Sequence, residues 1–458
     1  MDNKIKVLFY NRDVAGVNYY RTLTPAIELD KYHSDKFHVT INKEINFSDP
    51  NTIEYLKGFD IINYHRQLYP NAEDMIKNSQ ILKENGTRLV VDIDDYWELD
   101  KTHAYYYKSK EDKITDITLF QLNIADYITT TSEEFKSVIV KSTNKTDENV
   151  IVLPNAIDPD TMGQFENNWK KDPNGLVRIT YMGGSSHKHD VKQLEHVANM
   201  LNANHETNGK FKIILAGWDM GGTHNYMEFN PELQKQLEGR HLWNQEMIKQ
   251  INKANNMISN VKLMPDDLKE TYNGIMFNPK TRPIKPQEST YYDYENILTD
   301  DRRIVNNFDY LNWLGMYDTK NKFPNEGNFA RRWTKPANEF AKVLDETDIV
   351  LAPLLNTPFN RMKSNLKQVE CWTRKLPIVC SDVAPYNVDG VNNVNCVLIP
   401  SKINQHKDWF KALKKLILDE SLRKEIGENL YNDFSVKYHL KTVTEKRAEE
   451  YLKMKNNN

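Results

Sequence analysis

The feature that most constrains the fold is a repeated alternation between short apolar runs and amphipathic segments. The apolar runs are rich in Val, Ile, Leu, Phe and Tyr, and stretches with helical spacing of apolar residues separate them. This alternation is typical of parallel sheets covered by helices on both faces. The predicted strands are 6–10, 37–41, 61–64, 88–92, 127–130 and 150–153, followed by 177–181, 211–216, 349–352, 377–380 and 396–399.

The predicted strands fall into two sets, one before and one after the turn-rich segment 170–175. We therefore expect an α/β protein with two Rossmann-like halves. In open α/β sheets, ligands bind beyond the carboxyl ends of the strands. Two such sheets that face each other would bind a substrate in the cleft between them.

A long stretch, at about residues 218–335, interrupts the second set of strands and is rich in aromatic residues. Structureless loops of that length are rare in compact domains, so we predict a folded helical insertion. An additional packing layer and a surface that recognises a ligand or a partner are both compatible with it.

Composition excludes several classes of protein. The 458 residues carry a net charge of -3, so there is no overall basic field for nucleic acid. The three cysteines lie in or near apolar strand-like runs and indicate buried thiols of a reducing compartment. Without a signal peptide at the start or an apolar run long enough to span a bilayer, we expect a cytoplasmic protein.

The loop and helix between two late strands carry a pattern that suits a phosphorylated ligand. Lys363, Ser364 and Asn365 precede a helical segment, and Lys367 and Glu370 lie on one face of it. The first amides of a helix have no intrahelical partner and carry partial positive charge, so with lysines they suit a diphosphate. Glu370 can accept hydrogen bonds from a ribose. A surface helix with solvated lysines is the alternative.

The block 348–382 resembles the donor-binding motif of retaining GT-B glycosyltransferases, family four in the usual grouping, of phage or bacterial type. In that family a Glu-x7-Glu pair spans the loop and helix. Glu370 matches the second glutamate, whereas Met362 stands at the position of the first. The resemblance implies that Asn360 or Lys363 takes over the hydrogen bonds to the sugar.

A glycine-rich loop follows the first strand of the second set. Gly183 and Gly184 allow close approach of a phosphate to the backbone, and Lys188 or His187 can add charge. The loop resembles the donor-phosphate loop of the same family. A tight strand-to-helix turn also needs glycine, and His187 and His189 can be a pair of exposed loop histidines.

The first half contributes candidates for the acceptor side. Gly16 permits a tight turn after the first strand, Arg21 lies at the start of a helix, and Arg66 ends the third strand. The resemblance places all three at the cleft, where many GT-B enzymes approach the donor phosphates and the acceptor. An ion pair on the helix surface is the alternative for Arg21.

Asp94, Asp95 and His103 form the predicted catalytic group. The resemblance implies that both aspartates line the cleft and that His103 lies near the reacting sugar. Helix capping by an aspartate and a structural role for His103 are the alternatives. Asp92 and Asp94 also resemble the metal-binding Asp-x-Asp motif of GT-A enzymes. Because the predicted donor site lies in the other half of the chain, no metal ligand is expected.

The resemblance implies a division into three parts. Residues 1–170 form an acceptor domain, and residues 171–435 form a donor domain with an insertion at about 218–335. Residues 436–458 contain a C-terminal helix that crosses back to the first domain. A capping-box pattern at 131–134 predicts the start of a helix within the first domain.

The predicted reaction moves a sugar from a nucleoside-diphosphate sugar, expected to be a UDP-sugar, to an acceptor with retention and without a metal or cofactor. The acceptor can be a glycan, a protein or a modified nucleic acid. A phage-type DNA-base glycosyltransferase is one alternative, in which basic pairs such as Arg331 and Arg332, or Lys280 and Arg282, would form a groove. A catalytically silent nucleotide-sugar binding module is another, and Met362 in place of glutamate favours it.

Overall fold

The computed structural model of the chain divides into two compact units. One unit contains Met1–Trp218 and Asp293–Asn458, and the other contains Asp219–Tyr292. The residues described are 4–11, 16–49, 51–69, 71–103, 105–218, 223–254, 264–271, 277–283, 290–299, 328–401 and 405–456.

Six parallel strands form the sheet of the first half. They are β1 Ile5–Tyr10, β2 Phe37–Asn42, β3 Ile61–His65, β4 Arg88–Asp92, β5 Tyr127–Thr130 and β6 Val150–Val152. Their order in the sheet is β2-β1-β3-β4-β5-β6. Val7 and Phe9 of β1 join a hydrophobic cluster on one face, and Leu8 and Tyr10 join a cluster on the other. Because both faces are covered, the strand is apolar from Val7 to Tyr10.

The second half contains another six-stranded parallel sheet. The remaining strands are β7 Val177–Met182, β8 Phe211–Trp218, β9 Thr223–Phe229, β10 Phe277–Pro283, β11 Phe329–Trp333, β12 Ile349–Ala352, β13 Ile378–Ser381 and β14 Val397–Ile399. The sheet has the order β11-β8-β7-β12-β13-β14, whereas β9 and β10 pair elsewhere. The prediction of two Rossmann-like parallel sheets is confirmed. Strand β11, which lies inside the segment assigned to the insertion, is an addition to the predicted set.

Helices connect the strands of both halves. In the first half they are Gly16–Asn18, Thr24–His33, Thr52–Leu56, Ala72–Glu84, Tyr106–Glu111, Ile114–Ile124 and Glu133–Ser142, with a π-helical turn at Tyr19–Leu23. In the second half they are Lys188–Val191, Val197–Ala203, Thr290–Thr299, Pro358–Arg361, Leu366–Trp372, Tyr386–Asp389, His406–Leu418, Glu420–Phe434 and Leu440–Asn456. The helix predicted at 131–134 begins one residue later, because the Ser132 hydroxyl caps it by accepting from the Phe135 amide at 3.2 Å.

The unit Asp219–Tyr292 has a hydrophobic core of its own. Its helices Pro231–Gly239, Gln245–Ala254 and Asp266–Thr271 accompany the antiparallel pair of β9 and β10. Its buried residues include Leu233, Leu237, Met247, Ile251, Met264, Leu268 and Phe277. The expected helices of the insertion are therefore present, and a two-stranded hairpin accompanies them. Of the aromatic residues in the segment 218–335, several lie outside the described residues.

The helix Leu440–Asn456 packs on the sheet of the first half. The Tyr451 ring lies 6.4 Å from the rings of both Phe9 and Phe37, measured between centroids. Near the start of this helix, Ile157 and His439 form an isolated parallel bridge. The chain leaves the first half near Ile157 and returns to it near His439, so these two crossings lie next to each other. No helix within the described ranges is long and apolar enough to cross a membrane.

Candidate active site between the two sheets

Each sheet has a switch point, which is the gap between two neighbouring strands whose following connections lead to opposite sides of the sheet. In the first sheet it lies between β1 and β3, and in the second between β7 and β12. Open α/β sheets bind ligands at this place, beyond the carboxyl ends of the strands. The predicted residues follow these strands: Gly16, Arg21 and Arg66 after β1 and β3, and Gly183, Gly184, Lys188, Asn360, Lys363, Ser364 and Asn365 after β7 and β12.

Arg66, Asp94 and Asp95 form an ion-pair network after β3 and β4. The Arg66 Nη2 atom donates to Asp94 Oδ1 at 2.9 Å and to Asp95 Oδ2 at 2.7 Å. His65 Nε2 lies 2.9 Å from the same Asp94 oxygen. Burial would raise the pKa of Asp94, but the Arg66 guanidinium and the His65 ring hold it below its usual range. Arg66 has a φ of 60°, a left-handed conformation that is rare outside glycine and that frequently occurs at functional sites.

The loop after β12 meets this network from the other half. Lys363 Nζ lies 3.6 Å from Asp95 Oδ1 and 4.6 Å from the centroid of the Phe359 ring. The His103 ring packs against Phe359 at a centroid distance of 5.0 Å. Burial, followed by the positive charges of Lys363 and His187, lowers the pKa of His103. Three of the predicted residues therefore lie close together between the halves: Asp95, His103 and Lys363.

The glycine loop after β7 combines one crowded and one open position. A Cβ atom on Gly183 would lie 2.3 Å from the Tyr181 hydroxyl, whereas one on Gly184 would meet no heavy atom within 4 Å. The Gly184 carbonyl accepts from the Tyr294 hydroxyl at 2.9 Å. Lys188 forms an ion pair with Asp293. Helix Thr290–Thr299, which lies in the segment assigned to the insertion, therefore contacts the predicted donor loop.

Glu370 is fully buried, and both of its oxygens have partners. The Tyr20 hydroxyl of the first half donates to Oε1 at 3.1 Å, and Lys367 Nζ lies 2.7 Å from Oε2. Each carboxylate oxygen has a second lone pair, so Glu370 retains capacity for further hydrogen bonds. Met362, at the position of the family's first glutamate, is buried with the hydrophobic cluster of the first half.

Ser364 and Asn365 precede the helix Leu366–Trp372. The Ser364 hydroxyl accepts from Asn155 Nδ2 of the first half at 2.8 Å. Asn365 is buried and lies beside the Tyr438 side chain. Both residues therefore link the donor loop to neighbouring segments.

Arg21 lies in the π-helical turn and is only 2% exposed. Its guanidinium makes two bonds to Asp92, at 2.9 and 2.7 Å, and its Nη1 atom donates to the Leu153 carbonyl at 2.6 Å and to Asn155 at 3.2 Å. Arg21 therefore does not point into the cleft as expected, because its guanidinium turns inward to these partners. The ion pair named as the alternative is buried and does not lie on the helix surface. Gly16 starts its helix with a φ of 47°.

The amide of Asn360 is engaged by a residue that sequence reasoning did not single out. Asn360 Nδ2 donates to Asp190 Oδ1 at 2.9 Å and to the Leu355 carbonyl at 3.0 Å. Asp190 also contacts His187, three residues before it. Tyr20 was likewise not predicted, although it is adjacent to Arg21. A histidine and an aspartate three residues apart at the start of a helix are the local signal for the Asp190 contact.

Metal ligands were not expected, and the aspartates of the Asp-x-Asp pattern have other partners. Asp92 accepts from Arg21 and from the Thr129 hydroxyl, and Asp94 accepts from Arg66. Among the residues that the structure describes, no group of three His, Cys, Asp or Glu side chains is arranged to hold a metal ion.

Solved structures with the same fold include glycosyltransferases. Sucrose-phosphate synthase from Thermosynechococcus elongatus matches with a TM-score of 0.54 and 11% identity over 100% of both chains. A glycosyltransferase from Rickettsia africae ESF-5 matches with a TM-score of 0.51 and 11% identity, also over 100% of both chains. Anabaena Alr3699/HepE, solved in complex with UDP and glucose, matches with a TM-score of 0.51 and 11% identity over 97% of this chain and 98% of its own.

No protein-family model and no curated protein matches the sequence. At these identities the structural similarity establishes the fold, which is the two-domain GT-B arrangement of these glycosyltransferases.

Proposed function

We propose that this protein transfers a sugar from a nucleoside-diphosphate sugar to an acceptor bound between the two sheets. The observation that carries the proposal is the meeting of Lys363, Asp95 and His103 between the switch points of the two sheets. The fold shared with solved glycosyltransferases supports it. A UDP-sugar is the proposed donor, since HepE was solved with UDP and glucose.

The donor diphosphate is proposed to bind along the loops after β7 and β12. The open face of Gly184 leaves room for a phosphate, and Lys363 supplies positive charge. Ser364 and Asn365 would hold the loop that carries Lys363, and Asn360 would hold the loop before it. Preorganised positive groups stabilise the charge that develops on the departing diphosphate.

Three further donor-side residues have defined partners. Glu370 would accept a hydrogen bond from a ribose hydroxyl on its remaining lone pairs, with Lys367 and Tyr20 fixing its orientation. Gly183 keeps the glycine loop against Tyr181. Lys188 contributes less free charge than the sequence suggests, because Asp293 neutralises it.

The acceptor is proposed to bind against Asp94, Asp95, His103 and Arg66, with Gly16 and Arg21 supporting that side of the cleft. His103 is half-buried and has a lowered pKa, so its neutral form is favoured near neutral pH. A neutral imidazole can accept a proton from an acceptor hydroxyl. Retention at the anomeric carbon is part of the proposal, and NMR of the product's anomeric proton tests it.

Transfer is proposed to proceed without a divalent metal. The support is that Asp92 and Asp94 are already bonded to Arg21 and Arg66, so they are not free to act as a pair of ligands. We expect turnover to survive chelation by EDTA. Activity lost in EDTA and restored by manganese would contradict this part of the proposal.

The direct test is a thermal-shift and calorimetry panel of UDP, GDP, ADP and dTDP, followed by release of diphosphate from the matching sugar nucleotide. Ligand at a hundredfold excess over Kd stabilises the folded state by about 2.7 kcal/mol. Binding with hydrolysis supports an enzyme. Binding without hydrolysis or transfer to any glycan supports the silent module, and no binding by the whole panel overturns the proposal.

The unit Asp219–Tyr292 is proposed to recognise the acceptor or a partner. Its own hydrophobic core supports treating it as a separate module. Replacing 223–283 by a Gly/Ser linker should keep nucleotide binding and remove transfer.

Two observations weigh against a basic groove for DNA. Arg331 is buried against Glu295, and Arg332 pairs with Glu346 at 2.5 Å.

A further inference from the structure

His187 lies in the short turn Ser185–His187, directly after Gly184, and protein groups hold its ring on one side. Its Nδ1 atom is 2.8 Å from Asp190 Oδ2. The side chain is 25% exposed, and Nε2 has no hydrogen-bond partner among the residues that the structure describes. The ring is therefore oriented by one nitrogen and offers the other to a ligand.

Asp190 connects the ring to both loops of the switch point. Its side chain is 8% exposed, and its second oxygen accepts from the Leu355 amide at 2.8 Å and from Asn360 Nδ2 at 2.9 Å. Rotation of this carboxylate away from His187 would break bonds to the loop after β12. The position of the imidazole is thereby fixed relative to the loop that carries Lys363.

One neighbour of His187, Lys363, can help to bind an anionic ligand. Lys363 and His187 each lower the pKa of His103, so both side chains lie near that ring. Asp190 faces the inner side of the His187 ring, and Asp95 lies beside Lys363 at 3.6 Å. Lys188, the next residue in the loop, is already paired with Asp293 and is a poorer candidate for the phosphate.

We propose that His187 contacts the β-phosphate of the donor through Nε2 and that Asp190 is the positioning residue that orients it. This inference rests on the proposed function. A protonated imidazole carries hydrogen on both nitrogens, so Nδ1–H donates to Asp190 while Nε2–H donates to the phosphate.

The step balances without a further reactant. The bond between the anomeric carbon and the β-phosphate oxygen breaks, and its electron pair goes to that oxygen, where the Nε2–H bond of His187 stabilises the charge. The acceptor hydroxyl, or water in hydrolysis, bonds to the anomeric carbon and gives its proton to His103, the base named in the proposed function. His187 returns unchanged to its bond with Asp190.

The test uses the full chain, UDP-glucose hydrolysis and UDP calorimetry. His187→Asn keeps a polar group near Nδ1 but removes the donor at Nε2, whereas His187→Gln places an amide near the Nε2 position. The exposed neighbour His189 supplies the matched control, His189→Asn. Thermal unfolding of each variant verifies folding.

We expect His187→Asn to lower kcat about 100-fold, as for loss of one donor to a developing anion. The kcat of His187→Gln should be about tenfold higher than that of His187→Asn, and the kcat of His189→Asn should stay within about twofold of the natural protein. Asp190→Asn should lower kcat, and its effect should shrink in the His187→Gln background, because there is then no imidazole to orient.

Equal rates for the natural protein and His187→Asn overturn this inference and leave the proposed function standing. Equal impairment of the Asn and Gln variants, with a lowered Tm in both, also overturns it, because the role of His187 is then structural. If the natural protein neither binds a nucleoside diphosphate nor hydrolyses UDP-, GDP-, ADP- or dTDP-glucose, the proposed function fails and this inference fails with it.

Discussion

The two switch points have similar topology but differ in how their charged side chains are paired. In the first half, Arg21 is paired with Asp92 and bonded to the Leu153 carbonyl, and Arg66 is paired with Asp94 and Asp95. In the second half, Gly184 is open, and Lys363 lies near one carboxylate that belongs to the other half. The arginines of the first carboxyl edge thus have partners without a ligand, whereas the second edge has unused capacity for an anion. Substitution of the buried Arg21 should therefore affect stability, and substitutions on the second edge should affect donor binding.

The largest effect is expected from Arg21→Ala, which breaks the most buried pair of the first edge. Removing one partner leaves Asp92 as an uncompensated buried charge, and we expect the free energy of unfolding to fall by about 3–5 kcal/mol in urea titrations. The double variant Arg21→Ala/Asp92→Ala should lose less than the sum of the single losses. Unchanged stability with abolished transfer would show instead that Arg21 contacts the acceptor.

Lys363→Met should weaken binding on the second edge with little loss of stability. The methionine keeps the packing on Phe359 but removes a charged hydrogen bond worth roughly 1.5–3 kcal/mol, so UDP affinity should fall about 10- to 100-fold by calorimetry. Lys411→Met, at an exposed position of the helix His406–Leu418, is the matched control. Equal UDP affinity in the two variants would remove Lys363 from the donor site.

The two adjacent glycines allow a finer test within the second edge. Gly183→Ala forces a Cβ against Tyr181, and overpacking of this kind costs about 1–3 kcal/mol of unfolding free energy. Gly184→Ala meets no protein atom, so stability should stay within about 0.5 kcal/mol while UDP binding weakens. Gly184→Ala with unaltered UDP affinity would mean that no phosphate approaches this loop.

The smallest effect concerns His103, which lies where the two edges meet. Burial, and then the charges of Lys363 and His187, lower its pKa from 6.5, so the folded state binds this proton less readily than the unfolded state. The resulting stability is complete above the unfolded pKa and is lost as pH falls through the folded pKa. Between about pH 8 and about pH 5, the natural protein should lose more unfolding free energy than His103→Gln. Equal losses of unfolding free energy in the natural protein and in His103→Gln would contradict the lowered pKa of His103.

The strands of both sheets were predictable because their apolar runs are continuous and local in sequence. Strand β11 was not, since Arg331 and Arg332 make it polar, and their carboxylate partners Glu295 and Glu346 lie on other segments of the chain. The hairpin of β9 and β10 was missed because aromatic content indicated only a folded insertion.

The site was predictable where function follows from neighbouring residues, as in the glycine loop or the loop with Lys363. It was not predictable where partners are distant in sequence. Arg21 meets Asp92 across 71 positions, and Tyr20 meets Glu370 across 350. No local pattern shows whether an arginine after a strand turns inward to such a partner or outward to a ligand.

The return of the last helix to the first sheet has a consequence for synthesis on the ribosome. Tyr451, which packs on both Phe9 and Phe37, follows them by more than 400 positions in the chain. The first half therefore completes this part of its core only after the second half has been made, although domains generally fold in order of synthesis. The surface that Tyr451 covers stays exposed until then, which couples the folding of the two halves.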